Sequence, residues 1–258
     1  MKRFLILLLL LFCNTVCADT INLHWLNYDG STYQDSTCVI DSDLILPTTT
    51  PTRYGYTFTG WKLVSYRPIE YLESTGTQYI NTGYTPKQQG YTAVGKMRFV
   101  GSQNSWAGVL GGDFPSVAAG NKFGRYSTTN NWVISSGSDY SSTSTFDIGQ
   151  DYLFQVSFVH NDKYLKINNE KVISTQDAKY ISNNGSIYIF TYNRSSSLTS
   201  ESMKGRIYYV KIYDDNNNLV RDFIPVLDEN GTPCMYDKFE DKFYYNQGTG
   251  QFIAGPTL

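Results

Sequence analysis

A chain of 258 residues with 21 basic and 23 acidic side chains, a formal charge of −2, lacks the basic excess with which a generic nucleic-acid binder meets phosphate. Its 22 tyrosines, 14 phenylalanines and four tryptophans exclude a disordered chain, which is poor in aromatics. Two histidines and four cysteines leave little material for metal or nucleophile chemistry, and the length suits one ordinary domain beside a smaller one.

Residues 1–18 have the pattern of an export signal. Lys2 and Arg3 precede an unbroken apolar run from Phe4 to Phe12, and Val16 and Ala18 stand at the small-residue positions before a cut expected after Ala18. The run is too short for a spanning helix, which needs roughly 20 apolar residues, and no other long apolar run follows it. Cys13 and Cys17 offer a competing lipoprotein reading, but Phe12 and Val16 stand before them, where a lipid-accepting cysteine usually follows Gly, Ala or Ser. Loss of Lys2 and Arg3 leaves 19 basic against 23 acidic residues, a charge of −4, with Cys38 and Cys234 as the remaining thiols. Those two could pair in an exported chain or stay as separate buried thiols. The expected localisation is secreted or cell surface, with no transmembrane segment.

Residues 19–65 read as a small module. Ile21, Leu23 and Trp25 alternate before the turn residues Asn27, Asp29 and Gly30, so a short strand is expected there. Pro47 and Pro51 precede a second alternating run in which Tyr54, Tyr56 and Phe58 share one face, with Gly55 and Gly60 permitting turns at its two ends. The Pro51-Thr-Arg-x-Gly-Tyr-Thr-Phe-x-Gly-Trp61 run resembles the Listeria–Bacteroides repeat, the internalin B-repeat module of surface and secreted proteins, over roughly His24 to Lys62. That resemblance implies a β-grasp-like unit, usually present in tandem as a spacer or adhesive stalk; here there is a single copy.

Residues 66–258 read as all-β. Phe154, Val156 and Phe158 alternate with Gln155 and Ser157, and Leu165 and Ile167 with Lys166 and Asn168. Tyr208, Val210 and Ile212 are expected on the face opposite Tyr209 and Lys211, with Phe243 and Tyr245 ending the series. Asn168-Asn169 between two runs signals a hairpin. Many short strands without a helical stripe, over about 190 residues, predict an antiparallel β-sandwich of the jelly-roll type. Tyr164 to Val172, Gly205 to Asp214, Leu219 to Asp237, Phe243 to Gly250 and the opening Ile69 to Gly83 resemble a laminin-G-like, concanavalin A-like domain, in a variant common in gut-bacterial and phage surface proteins. The resemblance implies a concanavalin-like sandwich and a secreted or surface role. It does not imply one activity, because lectins, glycosidases and adhesion modules share the fold.

No catalytic residue is expected. A glycosidase on this fold would place Glu-x-Asp-x-x-Glu on one strand face, and no glutamate here has an aspartate two residues on. Glu70 and Glu73 are three apart, hence on opposite strand faces, and no Gly-x-Ser-x-Gly or metal-spaced His or Cys cluster occurs. His24 and His160 fall in different modules. Sugar recognition would use an aromatic face with a few directed hydrogen bonds, which nominates Trp106, Trp132 and Tyr126 beside Asn130 and Asn131, in Gly-, Ser- and Asn-rich surroundings. The competing reading packs both tryptophans in the core. Asp113, after two glycines, is one oxygen donor of the six to eight that calcium takes, so no metal or other cofactor is assigned. Asn193-Arg-Ser and Asn230-Gly-Thr are sequons. The sequence therefore points to a binding protein for a glycan or host ligand, against two alternatives: a structural or adhesion module with protein partners, and a glycosidase.

Overall fold

A computed structural model describes residues 2–11, 20–27, 32–39, 44–64, 66–87, 90–101, 106–113, 120–125, 129–176, 185–194 and 202–258. Among them there is no helix, so none is long and apolar enough to cross a membrane. The chain divides into two units, Met1–Arg67 with Asp228–Gly231, and Pro68–Leu227 with Thr232–Leu258.

The first unit holds one sheet of β1 (Lys2–Leu11), β2 (Thr20–Leu26), β3 (Thr32–Val39) and β4 (Tyr56–Val64), in the order β3-β2-β1-β4. The apolar run read as an export signal forms β1, antiparallel to β2 and parallel to β4. The expected alternation in β2 is present: Leu23 and Trp25 are buried against Tyr33, Cys38 and Trp61, and the Trp25 indole N–H donates to Ser36 Oγ at 2.8 Å. Gly55, at φ +76°, makes the turn that opens β4, where Tyr56 N–H donates to Arg53 O at 3.1 Å. Gly60 does not end the strand as expected. It lies within β4, at φ +138°, where the pairing with β1 slips between Phe58 and Trp61, so its freedom serves a bulge instead of a turn. Tyr54 lies outside the strand and is fully exposed, so it does not share a face with Tyr56 and Phe58.

From Tyr66 onward the strands are short and antiparallel in the main. They are β5 (Tyr66–Pro68), β6 (Leu72–Thr75), β7 (Ile80–Asn81), β8 (Tyr91–Phe99), β9 (Ala107–Asp113), β10 (Asn121–Arg125), β11 (Asn131–Ser136), β12 (Asp139–Thr145) and β13 (Asp151–Val159). There follow β14 (Asp162–Ile167), β15 (Glu170–Thr175), β16 (Tyr188–Ile189), β17 (Asn193–Arg194), β18 (Lys204–Asp214), β19 (Leu219–Asp228), β20 (Pro233–Asp237), β21 (Lys242–Tyr244) and β22 (Ile253–Ala254). The smaller sheet runs β12-β11-β10-β9-β16-β7, with β17 beside β9. The larger runs β15-β14-β13-β8-β18-β19-β20-β21, with β6 between β18 and β22. The second unit is thus the expected all-β sandwich.

Its core lies between the two sheets, filled by the inward residues of alternating strands such as β8. In β8, Tyr91, Ala93, Met97 and Phe99 point inward, while Thr92, Val94, Lys96 and Arg98 point out. Phe154, Val156, Phe158, Leu165 and Ile167 supply the neighbouring strands' share of the core. Asn168 and Asn169, at φ +48° and +70°, form the two-residue turn between β14 and β15, the left-handed pair that matches strand twist. Two expected faces are corrected. Tyr244, not Phe243 or Tyr245, turns inward, and its ring meets Phe223 edge-on at 5.1 Å. Tyr208 sits at a bulge, since Ile207 pairs with Met97 and Tyr209 with Lys96. The extra residue carries Tyr208 to the outer face, away from Val210 and Ile212.

A buried ion network ties β19, β20 and β21 together. Arg221, 9% exposed, meets Glu240 Oε1 with Nη1 at 2.7 Å and Asp237 Oδ2 with Nε at 3.5 Å, and Nε also donates to Thr82 O at 2.9 Å. Asp237 is fully enclosed, and its Oδ1 accepts from Asp222 N–H at 2.8 Å and Phe239 N–H at 3.0 Å. Burial raises the Asp237 carboxyl above its ordinary value; the two N–H groups and Arg221 pull the other way. The Tyr244 hydroxyl donates to Glu240 Oε2 at 2.5 Å.

Candidate functional site

Among the described residues, the nominated Trp106 and Trp132 fall in separate clusters. Trp132, in β11, is 1% exposed and is enclosed by Phe99, Phe123, Phe146 and Tyr152 at centroid distances of 5.0 to 6.1 Å. Its ring faces are taken up by the core and offer none to a sugar. Trp106, 7% exposed, precedes β9 and packs with Val133 and Tyr192 in a cluster apart from the main core. Val133 lies between the inward Trp132 and Ile134, which places this cluster on the outer face of the smaller sheet. Tyr192 lies close over Gly108, where an added Cβ would come within 2.6 Å of its ring, and Lys122 Nζ stands 4.6 Å from the Tyr192 centroid and 5.5 Å from that of Trp106. The chain reaches Tyr192 through Phe190, which is buried in the core at φ +70°, a conformation strained for an aromatic residue.

Asn130 is exposed at φ +53° and its carbonyl accepts from Phe146 N–H at 3.1 Å, while the Asn131 amide donates to Ser142 O. Tyr126 lies outside the described residues. Asp113 ends β9 with its backbone beside Arg194; its side chain is outside what the structure describes. Among the described residues no group of three His, Cys, Asp or Glu side chains is placed to hold a metal. Cys38 and Cys234 are not joined in a disulfide. His160 is half-exposed in the β13–β14 turn. Asn193 is buried and its amide donates to Ser186 O at 3.0 Å, whereas Asn230 is exposed.

A cluster of partly exposed charged side chains lies elsewhere, on the outer face of the larger sheet, around the buried Tyr208 ring. Register places Asp151, Arg98, Arg206 and Glu73 side by side on β13, β8, β18 and β6. Arg98 Nε meets Asp151 Oδ1 at 2.5 Å, and Arg206 Nε meets Glu73 Oε2 at 2.6 Å. Lys96 Nζ reaches Asp151 Oδ2 at 2.9 Å and lies 4.2 Å from the Tyr208 centroid. The Tyr208 hydroxyl donates to Asp151 Oδ1 at 2.8 Å, Tyr71 meets Tyr208 edge-on at 5.7 Å, and the Arg206 guanidinium lies 4.1 Å above Tyr71. Burial of Asp151 opposes its ionisation, but hydrogen bonds from Arg98, Lys96 and Tyr208 outweigh it and hold the carboxyl at about 2. Burial and the Asp151 contact push the Tyr208 phenol up to about 12. Asp151 therefore stays a fixed anion, unlike the raised acid that glycoside hydrolysis needs. Asp237, whose carboxyl is raised, is enclosed and out of reach of substrate.

Sequence reasoning missed this face because its members are up to 133 residues apart and meet through strand order. The local signal was the outward set Lys96 and Arg98 within β8; the bulge that delivers Tyr208 had none.

No protein-family model matches the chain, and no curated protein is significantly similar to it. Solved structures resemble it in fold. A SAP-like pentraxin from Limulus polyphemus superposes with a TM-score of 0.51 at 11% identity, covering 74% of this chain and 95% of that one. A proposed carbohydrate-binding protein from Bacteroides ovatus gives 0.54 at 11% identity, covering 93% of this chain and 70% of that one. Domains LG4-5 of the mouse laminin α1 chain match at 0.45 and 8% identity, over 67% of this chain and 48% of that one.

Proposed function

We propose that this is a secreted or cell-surface protein that binds a glycan through the solvent face of its larger sheet. The observation that carries the reading is the half-buried Tyr71 ring, backed by the buried Tyr208 and set among the donors Lys96, Arg98 and Arg206. Ring faces beside directed donors are what sugar recognition uses. The similarity of the fold to a proposed carbohydrate-binding protein supports it. The export signal of residues 1–18 and the repeat-like module of residues 19–65 belong to the same reading, as a leader and a carrier for the sandwich. Catalysis is not part of this reading, in which Asp151 and Glu73 each hold a cation.

The test is a glycan array probed with the full chain, with and without calcium, followed by Tyr71→Ala. Binding that falls at least tenfold in the variant is expected. Uniform silence under both conditions overturns the reading and leaves a protein partner as the alternative.

A further inference from the structure

The solvent face of the larger sheet contains an arrangement whose purpose is not exhausted by sugar stacking. Arg98 and Arg206 occupy directly opposed positions on β8 and β18. Like charges so placed destabilise a sheet pair, because opposed Cβ atoms lie roughly 5 Å apart. Each guanidinium is held from its Nε side by a carboxylate on the outer flank, Asp151 for Arg98 and Glu73 for Arg206. Among the described residues the hydrogen bonds of both groups come from Nε, and no Nη atom donates to a protein acceptor. The side chains are 29% and 26% exposed, so water and ligand reach them. A guanidinium is a planar fork with five donors, and engaging one edge leaves the other edge whole for a planar oxyanion. Two such edges are therefore fixed side by side on a rigid sheet, with their rotamers set by the flanking acids and by the Tyr71 ring beneath Arg206.

We infer that Arg98 and Arg206 form a carboxylate-reading cradle, and that the glycan bound on this face carries uronic acids. The inference rests on the glycan reading above and names its ligand class. Charge complementarity selects this occupant. The pair presents its donor edges between two fixed acids, Asp151 and Glu73, with exposed Glu70 nearby on the Arg98 side. An isolated carboxylate on a sugar ring fits between those acids. A nucleic acid, with one charge per roughly 1.7 Å of duplex, would meet them and the acidic remainder of the chain. Tyr71 borders the cradle and gives the sugar ring an apolar edge to lie against, with Tyr208 buried behind it.

The experiment is biolayer interferometry of the full chain against immobilised polygalacturonate, dextran, dextran sulfate and single-stranded DNA, at low and physiological salt. Retention on polygalacturonate above the other three is expected. The double variant Arg98→Lys with Arg206→Lys keeps both charges and loses both forks, and it should lower that affinity at least tenfold. Lys171→Met, which removes a cation at the far edge of the same sheet beside Tyr164, should leave it unchanged. Near-UV circular dichroism checks that the lysine pair is folded; should it not be, Arg98→Lys alone is read in its place, with a several-fold loss expected. Equal binding by the lysine variant, or tighter retention on dextran sulfate or DNA, overturns the carboxylate assignment. Binding to neutral glycans with none to polygalacturonate overturns this inference alone and leaves the glycan reading standing. Silence toward neutral and acidic glycans alike removes both.

Discussion

Replacing Arg221 by methionine tests whether the ion network of β19, β20 and β21 is a structural keystone. The substitution keeps most of the stem and removes the charge that faces Asp237 at 3.5 Å and Glu240 at 2.7 Å. Asp237, with no exposure, retains the Asp222 and Phe239 N–H groups but loses its counterion. Breaking a buried pair from one side costs about 3–5 kcal/mol, because the remaining charge is left uncompensated. For a unit of this size that lowers its melting temperature by roughly 6–20 °C. Adding Asp237→Asn removes the stranded charge and keeps the oxygen that accepts both N–H groups, so the double variant should be more stable than Arg221→Met alone.

The pH dependence gives an independent sign. The folded Asp237 carboxyl is raised, so between the unfolded value and the folded one the native state binds more protons than the unfolded state. Stability contributed by this group therefore falls as pH rises through that window. Loss of Arg221 raises the carboxyl further, and the defect of Arg221→Met should shrink toward pH 4. The assay is scanning calorimetry of the full chain from about pH 4 to 8, following the transition of the larger unit. A single variant within about 1 kcal/mol of the parent, or a double variant that costs the sum of both singles, would refute the reasoning.

Four further outcomes are expected. Trp132→Ala should cost about 3–5 kcal/mol in urea titration, since it empties an enclosed aromatic cluster; a cost below 1 kcal/mol contradicts its placement. Asn169→Gly, at φ +70°, should be neutral or stabilise by up to about 1 kcal/mol, and Asn169→Val should destabilise, both by thermal melt. The stability contributed by Asp151, whose folded carboxyl is lowered to about 2, is complete above its ordinary 3.8 and is lost as pH falls toward 2. Asp151→Asn should remove that acid limb of the stability curve, and an unchanged limb contradicts it. Intact-mass analysis of the exported protein should show a chain beginning at Asp19; a retained β1 would rule out cleavage after Ala18.

The sandwich was legible because alternation survives wherever strands run straight, as in β8, β13 and β14. The Asn168-Asn169 hairpin was legible because left-handed backbone selects residues of that type. Tyr208 was misplaced because one extra residue in a strand inverts every face beyond it, and nothing local in Gly205-Arg-Ile-Tyr-Tyr-Val marks the insertion. Phe243 and Tyr245 were misplaced because three consecutive aromatics satisfy either parity; the partner Phe223 decides for Tyr244. Trp106 and Trp132 read alike in sequence, both beside glycine- and asparagine-rich stretches, yet one fills the core and the other the outer face of the smaller sheet. The Arg98–Arg206 pair was illegible because it exists only once β8 and β18 are neighbours.

In the larger unit the first and last strands are hydrogen-bonded neighbours. Leu72 pairs with Ala254, Ile69 with Thr257, and Leu258 N–H donates to Pro68 O at 3.1 Å. Entry and exit therefore share one corner of the sandwich, so the unit can be spliced into a loop of another protein as a cassette without prying its host apart. For the same reason a short linker from Leu258 to Pro68 would close the unit into a ring, and new ends opened at the exposed Asn216 turn should give a circular permutant that folds.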